Sequence, residues 1–471
     1  MAKIKKILSL PKKCIDNPQW FGKGMRYIRH YGVSAFVEKV RLKTAGYIPP
    51  DDALEASKPD VRYEGEIKFS IVMPVYNVEI QWLEKAIESV RRQNYTNWEL
   101  CIADDCSTDR RVPEYLKTVE SDKILVTYQE KNGGISEATN AAAALASGDY
   151  ILLMDNDDEI TYDALYEFYR AVTDTEADII YSDMDIMDKD GNRSQPLYKP
   201  DWSYDLMLSQ MYVGHLLGFK RSLFEQTEGF RTAFNGSQDY DLFLRMMEKA
   251  EKIYHVPKVL YSWRALPSST AANPESKPYA QTAGLNAIQE HLDRTCGRGK
   301  ATVKETENLF VYDVRYTLEQ KPKISVIIPT KDHVELLKDA IDSIYDNTAY
   351  PDFEIIILNN NSREDKTFEY FSNIQKEHEN IRIIEAPYEF NWSKLNNHGM
   401  REAAGEVYIF LNNDVKILTS DWMERLAEKA VLERVGVVGG LLLYEDDTIQ
   451  HAGVIVGMGG WADHVFKGMK P

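Results

Sequence analysis

Short apolar runs alternate along the chain with amphipathic segments, which indicates strands connected by helices. Continuous apolar runs of about 4–8 residues are typical of strands buried on both faces of a parallel sheet. In the first half of the chain such runs cover residues 69–74, 98–103, 124–128, 150–154 and 178–182. Apolar residues at helical spacing predict helices over residues 80–92, 137–146 and 163–172. This alternation predicts an α/β fold built on a mostly parallel sheet.

The same pattern occurs twice. Phe69–Asn77 aligns with Ile324–Asp332, and Glu99–Ser107 aligns with Glu354–Ser362, both at an offset of 255 residues. At an offset of 257, Asn140, Gly148, Asp155 and Asp157 align with Asn397, Gly405, Asn412 and Asp414. A duplicated domain is therefore predicted. Only 57 residues follow Asp414, so we expect the second copy to be incomplete and the chain to be part of a longer protein.

Acidic residues follow the apolar run 150–154 directly: Asp155, Asp157 and Asp158. In open α/β sheets, ligands bind beyond the carboxyl ends of the strands. Carboxylates crowded there repel one another, and a hard cation between them removes that cost. Mg²⁺ and Mn²⁺ favour such oxygen ligands and usually share a substrate phosphate. The alternative is a solvated turn or helix cap, where aspartate is also common.

Four motifs in this order resemble family 2 of the glycosyltransferases, which have the GT-A fold. They are Pro74–Asn77, Asp104–Asp109, Gly148–Asp158 and Gln238–Arg245. Residues 390–393 and 450–453 are similar to the tandem bacterial members that build O-antigen and other cell-surface polysaccharides. The resemblance implies two tandem GT-A domains with a Rossmann-like mixed sheet. We predict them over residues 66–318 and 322–471, the second incomplete, after a basic helical arm and linker over 1–65.

The resemblance implies an enzyme that depends on a divalent cation and uses a nucleotide-diphospho-sugar donor. A Mn²⁺ or Mg²⁺ ion bound by Asp155 and Asp157 would stabilise the charge on the departing diphosphate. Asp155 is also expected to contact the ribose or a metal-bound water. Lys199 and Arg264 are further candidates for contacts with the diphosphate.

The nucleotide base needs an apolar surface and a hydrogen-bonding partner. Tyr76 follows the first strand and is expected to stack on the base, unless it packs beside the sheet. Asp105 follows the second strand and is expected to accept the imide N–H of the base, the alternative being a cap on the next turn. Pro74 and Asn140 complete the predicted donor-binding set.

The acceptor hydroxyl must lose its proton as it attacks the sugar. Asp239 matches the catalytic aspartate of the family and is the predicted general base, so the reaction would invert the anomeric configuration. Gln238 stands where the family commonly has glutamate. Asp241 could instead be structural, and either aspartate could cap a following helix.

The second copy differs at the predicted donor site. Asn360 replaces Asp105, and Asn412 replaces Asp155, while Asp414 matches Asp157. Asparagine keeps a hydrogen-bonding oxygen but removes a charge, so we expect weaker metal binding there. His451 and His464 are candidate additional ligands in this copy, which the resemblance suggests uses a different donor.

The net charge of −18 argues against a nucleic-acid partner. Residues 1–50 are the exception, with 11 Lys and Arg against two acidic residues. They predict either a segment that contacts an anionic membrane surface or a helical arm packed on the catalytic domain. The four cysteines lack metal or redox spacing, which favours a cytoplasmic protein, peripheral on the inner membrane if the arm binds lipid. The acceptor is expected to be a lipid-linked glycan.

Two other functions compete with this prediction. Sugar nucleotidyltransferases also place carboxylates on an α/β sheet, but they usually carry a Gly-rich basic loop where this chain has Val75–Ile80. A sugar-nucleotide-binding or carbohydrate-binding scaffold with one degenerate site fits the second copy better than the first.

Overall fold

The computed structural model describes residues 49–50, 61–266, 278–456 and 462–471. They form two compact units, one extending to Arg298 with Val303–Val314, the other comprising Gly299–Thr302 and Arg315–Pro471. The predicted basic arm and most of the predicted linker lie outside the described residues. Among the described helices, none combines the length and the apolar character that a bilayer-spanning segment requires.

The first unit is built on a large sheet flanked by helices. Its strands are β1 (Phe69–Val75), β2 (Trp98–Asp104), β3 (Ile124–Tyr128), β4 (Tyr150–Leu153), β5 (Glu159–Ile160), β6 (Ile179–Met187), β7 (Arg193–Leu197), β8 (Leu217–Lys220) and β9 (Ile253–Arg264). Its helices are α1 (Ile80–Arg91), α2 (Arg111–Val119), α3 (Ile135–Ala143), α4 (Ala164–Thr175), α5 (Tyr204–Ser209), α6 (Arg221–Glu225), α7 (Gln238–Met247) and α8 (Pro278–Thr295), and a 3₁₀ turn covers Thr232–Phe234. The hairpin β10 (Ala301–Glu305) and β11 (Tyr312–Tyr316) follows.

The order of the strands explains why the motifs meet. The sheet runs β3-β2-β1-β4-β8-β6-β9-β5, with β7 paired to β6. Strands β3, β2, β1 and β4 are parallel neighbours, whereas β8 is antiparallel to both β4 and β6. The predicted α/β fold with a mixed sheet is therefore confirmed. Because β1, β2 and β4 are adjacent and parallel, the residues that follow them lie at one edge of the sheet.

Burial accounts for the continuous apolar runs. Every residue of β1 and β2 is buried. Helix α1 covers one face of the sheet with Leu83, Ile87 and Val90, which are all 0% exposed. The apolar face of α1 repeats at helical spacing, so the sequence pattern and the packing have the same cause.

The structure differs from the predicted elements in places where polar residues are buried. The strand predicted over 178–182 continues to Met187 as β6, because its acidic residues are paired. Asp183 accepts a hydrogen bond from Lys199 and contacts His255, while Asp185 pairs with Arg193. Helix α2 and strand β8 were not predicted, because neither has a long apolar run.

The second unit repeats the first half of this sheet. It contains β12 (Ile324–Thr330), β13 (Phe353–Asn359), β14 (Ile381–Glu385) and β15 (Val407–Phe410), with α9 (Val334–Asp346), α10 (Asp365–Glu377), α11 (Trp392–Glu402) and α12 (Trp422–Ala430). Short strands follow: β16 (Leu442–Leu443), β17 (Ile449–His451), β18 (Val454–Val456) and β19 (Ala462–His464). The order β14-β13-β12-β15 matches β3-β2-β1-β4, and all of these pairs are parallel. The predicted duplication is therefore present in the topology.

A buried hydrogen-bonded brace also recurs in both units. In the first, Ser70 donates to the Glu99 carboxylate at 2.6 Å, and the backbone N–H of Gly148 donates to the Ser70 hydroxyl at 2.9 Å. A side chain at Gly148 would come within 2.6 Å of a backbone oxygen, so this position requires glycine. The same contacts link Ser325, Glu354 and Gly405.

Candidate active site

The acidic loop Asp155–Asp158 begins two residues after the end of β4. The side chain of Asp155 is 44% exposed, and Asp157 is partly exposed. Burial raises the pKa of Asp157 to about 6, and the negative charge of Asp155 adds to this effect. The two carboxylates are therefore close enough to repel each other, as expected for groups that share a cation.

Asp158 stabilises the acidic loop through buried hydrogen bonds. It is 0% exposed, and its carboxylate accepts hydrogen bonds from the Tyr261 hydroxyl at 2.5 Å and from the Arg264 backbone N–H at 2.7 Å. These bonds fasten the acidic loop to β9. Of the three adjacent acids, Asp155 and Asp157 are thus the two that can reach a ligand.

Arg264 supports the loop from inside the protein. Its guanidinium donates to the backbone oxygen of Asp157 at 2.7 Å and to the carboxylate of Glu159, and it lies 4.5 Å from the centre of the Trp82 ring. The residue is 0% exposed. The expectation that Arg264 contacts a diphosphate is therefore wrong, because its charge is already paired and buried.

Asp239 belongs to the same site. It is the second residue of α7 and is partly exposed. Burial raises its pKa, His215 lowers it when protonated, and the negative charge of Asp155 raises it. Asp239 therefore lies within electrostatic range of the acidic loop, although the two are far apart in the sequence.

Asp241 is structural. It is 1% exposed and accepts hydrogen bonds from Arg231 and Arg245, the latter at 2.6 Å. These ion pairs fix the start of α7, and this arrangement separates the roles of the two neighbouring aspartates.

His215 is a site residue that sequence reasoning missed. Its Nε2 lies 3.5 Å from a carboxylate oxygen of Asp155, and its ring stacks on Tyr261 with centroids 4.9 Å apart. Its Nδ1 is buried and has no hydrogen-bond partner among the described residues. A single histidine without characteristic spacing gives no signal in a sequence, so only the fold reveals this position.

Lys199 holds the segment that carries His215. Its ammonium donates to the backbone oxygens of Ser182, Val213 and His215. Burial lowers the pKa of Lys199 to about 7. Because three carbonyl groups already use its three N–H donors, the expectation that Lys199 pairs with a diphosphate is wrong.

The two residues predicted to contact a nucleotide base differ in their surroundings. Tyr76, after β1, is 46% exposed and presents a free aromatic surface. Asp105 is 2% exposed, and its carboxylate accepts hydrogen bonds from the side chain of Asn132 at 2.9 Å and from the backbone N–H groups of Gly133 and Gly134 at 2.8 Å. Asp105 therefore holds the loop before α3, and its contact with the base stays a prediction.

Pro74 and Asn140 also have structural partners. The backbone oxygen of Pro74 accepts a hydrogen bond from the side chain of Asn156 at 2.7 Å, which ties the acidic loop to β1. The amide of Asn140 bonds to both the N–H and the C=O of Phe230, each at 2.8 Å. These bonds give both residues a structural role, and their contact with a donor stays a prediction.

Replacing Asn140 with alanine should therefore reduce stability and leave donor affinity unchanged. The substitution leaves the N–H and C=O of Phe230 without their partner, which typically costs about 1–3 kcal/mol. Thermal denaturation and donor calorimetry distinguish the two roles. An unchanged melting temperature combined with weaker donor binding would instead support the predicted contact of Asn140 with the donor.

In the second unit, the residue equivalent to Asp105 donates hydrogen bonds to the neighbouring loop, whereas Asp105 accepts them. Asn360 is 3% exposed and donates to the backbone oxygens of Ala386 and Tyr388 at 2.9 and 2.8 Å. Asparagine at this position therefore matches carbonyl partners, whereas Asp105 matches N–H partners. The Asp-to-Asn difference thus reflects how the loop is fastened.

The remaining predicted positions of the second unit lie at its surface. Asn412 and Asp414 are both exposed. The Nδ1 atoms of His451 and His464 lie 2.7 Å apart and are hydrogen-bonded to each other. This bond uses one ring nitrogen of each histidine.

The geometry of the first unit fits a cation with few protein ligands. In residues 61–266, 278–456 and 462–471, no three His, Cys, Asp or Glu side chains converge as a metal cage would require. Mg²⁺ typically binds one or two carboxylates and completes its shell with water and phosphate oxygens. The repulsion between Asp155 and Asp157 matches that type of site.

The sequence matches a known family in both units. The family described as glycosyl transferase family 2 matches residues 70–247 and 325–455. A Sinorhizobium fredii protein, described as uncharacterized protein y4gI, is 41% identical over 400 residues, which cover 84% of this chain and 44% of the relative. The O-antigen biosynthesis protein RfbC of Myxococcus xanthus is 34% identical over 402 residues, which cover 84% of this chain and 31% of the relative. The chain thus spans less than half the length of these two relatives.

A solved structure is also similar. It is Staphylococcus aureus TarS 1–349 in complex with UDP-GlcNAc, which is 19% identical, with a TM-score of 0.41, over 48% of this chain and 67% of that chain.

Proposed function

The chain belongs to glycosyltransferase family 2, and from this premise we propose that its first unit transfers a sugar from a nucleotide-diphosphate donor to a hydroxyl group of a glycan. One observation carries the proposal. The negative charge of Asp155 raises the pKa values of both Asp157, in the same motif, and Asp239, in a separate motif, and all three side chains are partly exposed. Carboxylates with raised pKa values in such a site are candidates for ligand binding and proton transfer.

Asp155 and Asp157 are proposed to bind a divalent cation, Mn²⁺ or Mg²⁺, together with the donor. The bound cation would act as a Lewis acid on the diphosphate, whose negative charge grows as the bond to the sugar breaks. The buried contacts of Asp158 and Arg264 keep the loop in place, and His215 limits the movement of Asp155.

Asp239 is proposed to accept the proton of the acceptor hydroxyl. Its raised pKa makes it a stronger base than an ordinary aspartate, and the partial exposure of its side chain is compatible with contact to substrate. Direct attack on the anomeric carbon from the side opposite the diphosphate would invert the configuration of the sugar. Tyr76 is proposed to stack on the nucleotide base, and Asp105 to shape the loop beside it.

The proposed acceptor is a lipid-linked glycan in cell-surface polysaccharide synthesis, as the name of the Myxococcus xanthus relative suggests. We propose a cytoplasmic location with peripheral contact to the inner membrane through the basic residues 1–50. The proposed domain limits are 66–318 and 322–471. For the second unit, we propose use of a different donor, the alternative being a sugar-nucleotide-binding scaffold, because Asn412 replaces Asp155.

A screen of nucleotide sugars tests the proposed activity. UDP-, GDP- and dTDP-sugars are incubated with the protein and Mn²⁺ or Mg²⁺, and the released nucleoside diphosphate is measured. We expect release from at least one donor. Failure with every donor and both cations would count against the proposal.

His215 is expected to act as a positioning residue for the carboxyl groups of Asp155 and Asp239. Substitutions beside metal-binding groups typically cost about 10–100-fold, and we expect His215→Ala to reduce donor hydrolysis by this amount. His215, when protonated, lowers the pKa of Asp239, so its replacement should raise that pKa and move the acid limb of the pH–rate profile to higher pH.

The control is His333→Ala, which removes an exposed histidine of the second unit. Donor hydrolysis is measured across the pH range for both variants. A lower rate in His215→Ala without any movement of the acid limb would contradict the electrostatic part of this role.

A further inference from the structure

A cavity of about 410 Å³, lined by both polar and apolar groups, lies between the 3₁₀ turn and the first turns of α8. Its side chains include Thr232, Asn235, Tyr279, Thr282 and Asn286. This volume falls within the range of about 300–1,000 Å³ that is common for small-molecule sites. We refer to it as the α8 cavity.

The lining of the α8 cavity suits a neutral polyhydroxylated ligand. The Tyr279 ring is 55% exposed and offers an apolar face beside side-chain amides and hydroxyls. None of the described lining residues carries a charge. An amphipathic aromatic ring combined with amide donors and acceptors can contact both the C–H face and the hydroxyl groups of a sugar.

The cavity is connected to Asp239 through the start of α7. Asn235 lines the cavity only four positions before Asp239. Between them, Gly236 has a φ of +93°, and a side chain there would come within 2.7 Å of the Tyr279 ring. The Ser237 hydroxyl donates to the backbone oxygen of Ala280 at 2.8 Å, which fastens the start of α7 to α8.

The cavity is also connected to the loop that Asp105 holds. The Ser136 hydroxyl, in the first turn of α3, donates to the side-chain oxygen of Asn235 at 2.5 Å. The loop just before α3 is fixed by Asp105 through Gly133 and Gly134. Asn235 therefore joins the cavity to the proposed base on one side and to the proposed donor loop on the other.

From this connectivity, we propose that the α8 cavity is an acceptor subsite that binds an uncharged sugar residue of the glycan whose hydroxyl Asp239 deprotonates. This inference rests on the proposed function, because it assigns the acceptor side of the same site. Binding in the cavity would hold the glycan in register with the base, so its loss should affect acceptor binding and not donor chemistry.

Saturation-transfer NMR with methyl glycosides tests the subsite directly. Methyl glycosides of glucose, galactose, N-acetylglucosamine, N-acetylgalactosamine and rhamnose are each added at about 10 mM, which populates sites of millimolar affinity. We expect at least one to bind and Tyr279→Ala to weaken that binding about tenfold through loss of the aromatic contact. The matched control is Tyr198→Ala, since Tyr198 is 70% exposed and does not line the cavity.

Donor hydrolysis measured on the same proteins separates the two claims. Hydrolysis that is unchanged in Tyr279→Ala, together with weakened glycoside binding, supports the subsite. If no glycoside binds the parent protein, or both tyrosine variants bind alike, the subsite is refuted while the proposed activity stands. If glycosides bind but no donor is hydrolysed by the parent protein, the proposed function fails and the acceptor role fails with it.

Discussion

Sugar transfer should fall by about 10²–10⁴-fold when Asp239 is replaced with asparagine, the usual cost of losing a general base. Asparagine keeps the size of the side chain but cannot accept the proton of the acceptor hydroxyl. Donor affinity should change little, because the base acts on the acceptor and the diphosphate is bound elsewhere, at the acidic loop. The expected signature is a reduced kcat with an unchanged Kd for the donor.

Asp241→Asn is the matched comparison, two positions further along α7. Asp241 is buried in ion pairs with Arg231 and Arg245, and breaking a buried pair by removing one charge typically costs about 3–5 kcal/mol. Asp241→Asn should therefore lower the melting temperature, whereas Asp239→Asn should not. Loss of donor affinity in Asp239→Asn, measured by calorimetry, would refute the assignment of the base.

Replacing Asp157 with asparagine should reduce donor hydrolysis by a similar amount, for a different reason. Stabilisation of the leaving group by a cation is worth several kcal/mol, and each 1.4 kcal/mol corresponds to about tenfold in rate. The substitution removes a charge from the acidic loop while the supporting bonds of Asp158 and Arg264 remain. The loss should therefore appear in the metal dependence of the rate and not in stability.

The rate of donor hydrolysis is measured against Mn²⁺ concentration for the parent protein and the variant. Partial rescue of Asp157→Asn at high Mn²⁺ is expected, since Asp155 remains as a ligand. Asp414→Asn, the equivalent change in the second unit, controls for weak binding there and should leave the rate of the first unit unchanged. Equal rates in the parent and in Asp157→Asn at every Mn²⁺ concentration would contradict the proposal that Asp157 binds a catalytic cation.

The fold and the acidic loop could be predicted because both follow from local patterns. Strands buried on both faces give continuous apolar runs. The acidic residues that begin at Asp155 stand out because they interrupt such a run. The duplication could be predicted because the residues of the brace recur at nearly the same spacing, Ser70 and Glu99 at an offset of 255 and Gly148 at an offset of 257. Apolar runs and repeated residues can be read from the sequence because they depend on neighbouring residues or on the burial of paired strands.

The individual roles of polar residues could not be predicted in the same way. Asn140 and Asp105 are of types that bind ligands and fasten loops equally well, and here both fasten loops. Asp158 and Asp241 differ from Asp157 and Asp239 only in orientation, which sequence spacing does not determine. His215 joins the site because β8 lies beside β4, a pairing that its sequence does not indicate.

Mn²⁺ binding measured by electron paramagnetic resonance in the presence of UDP, GDP or dTDP tests the central claim most directly. Free Mn²⁺ gives a sharp spectrum that is lost on binding, so each titration, compared with the same nucleotide without protein, reports the affinity of the protein–nucleotide complex. The account predicts that, with the preferred nucleotide, tight binding is lost when Asp155 and Asp157 are both replaced with asparagine and is retained in Asp414→Asn. Equal Mn²⁺ affinity in the parent and the double variant with every nucleotide would contradict it.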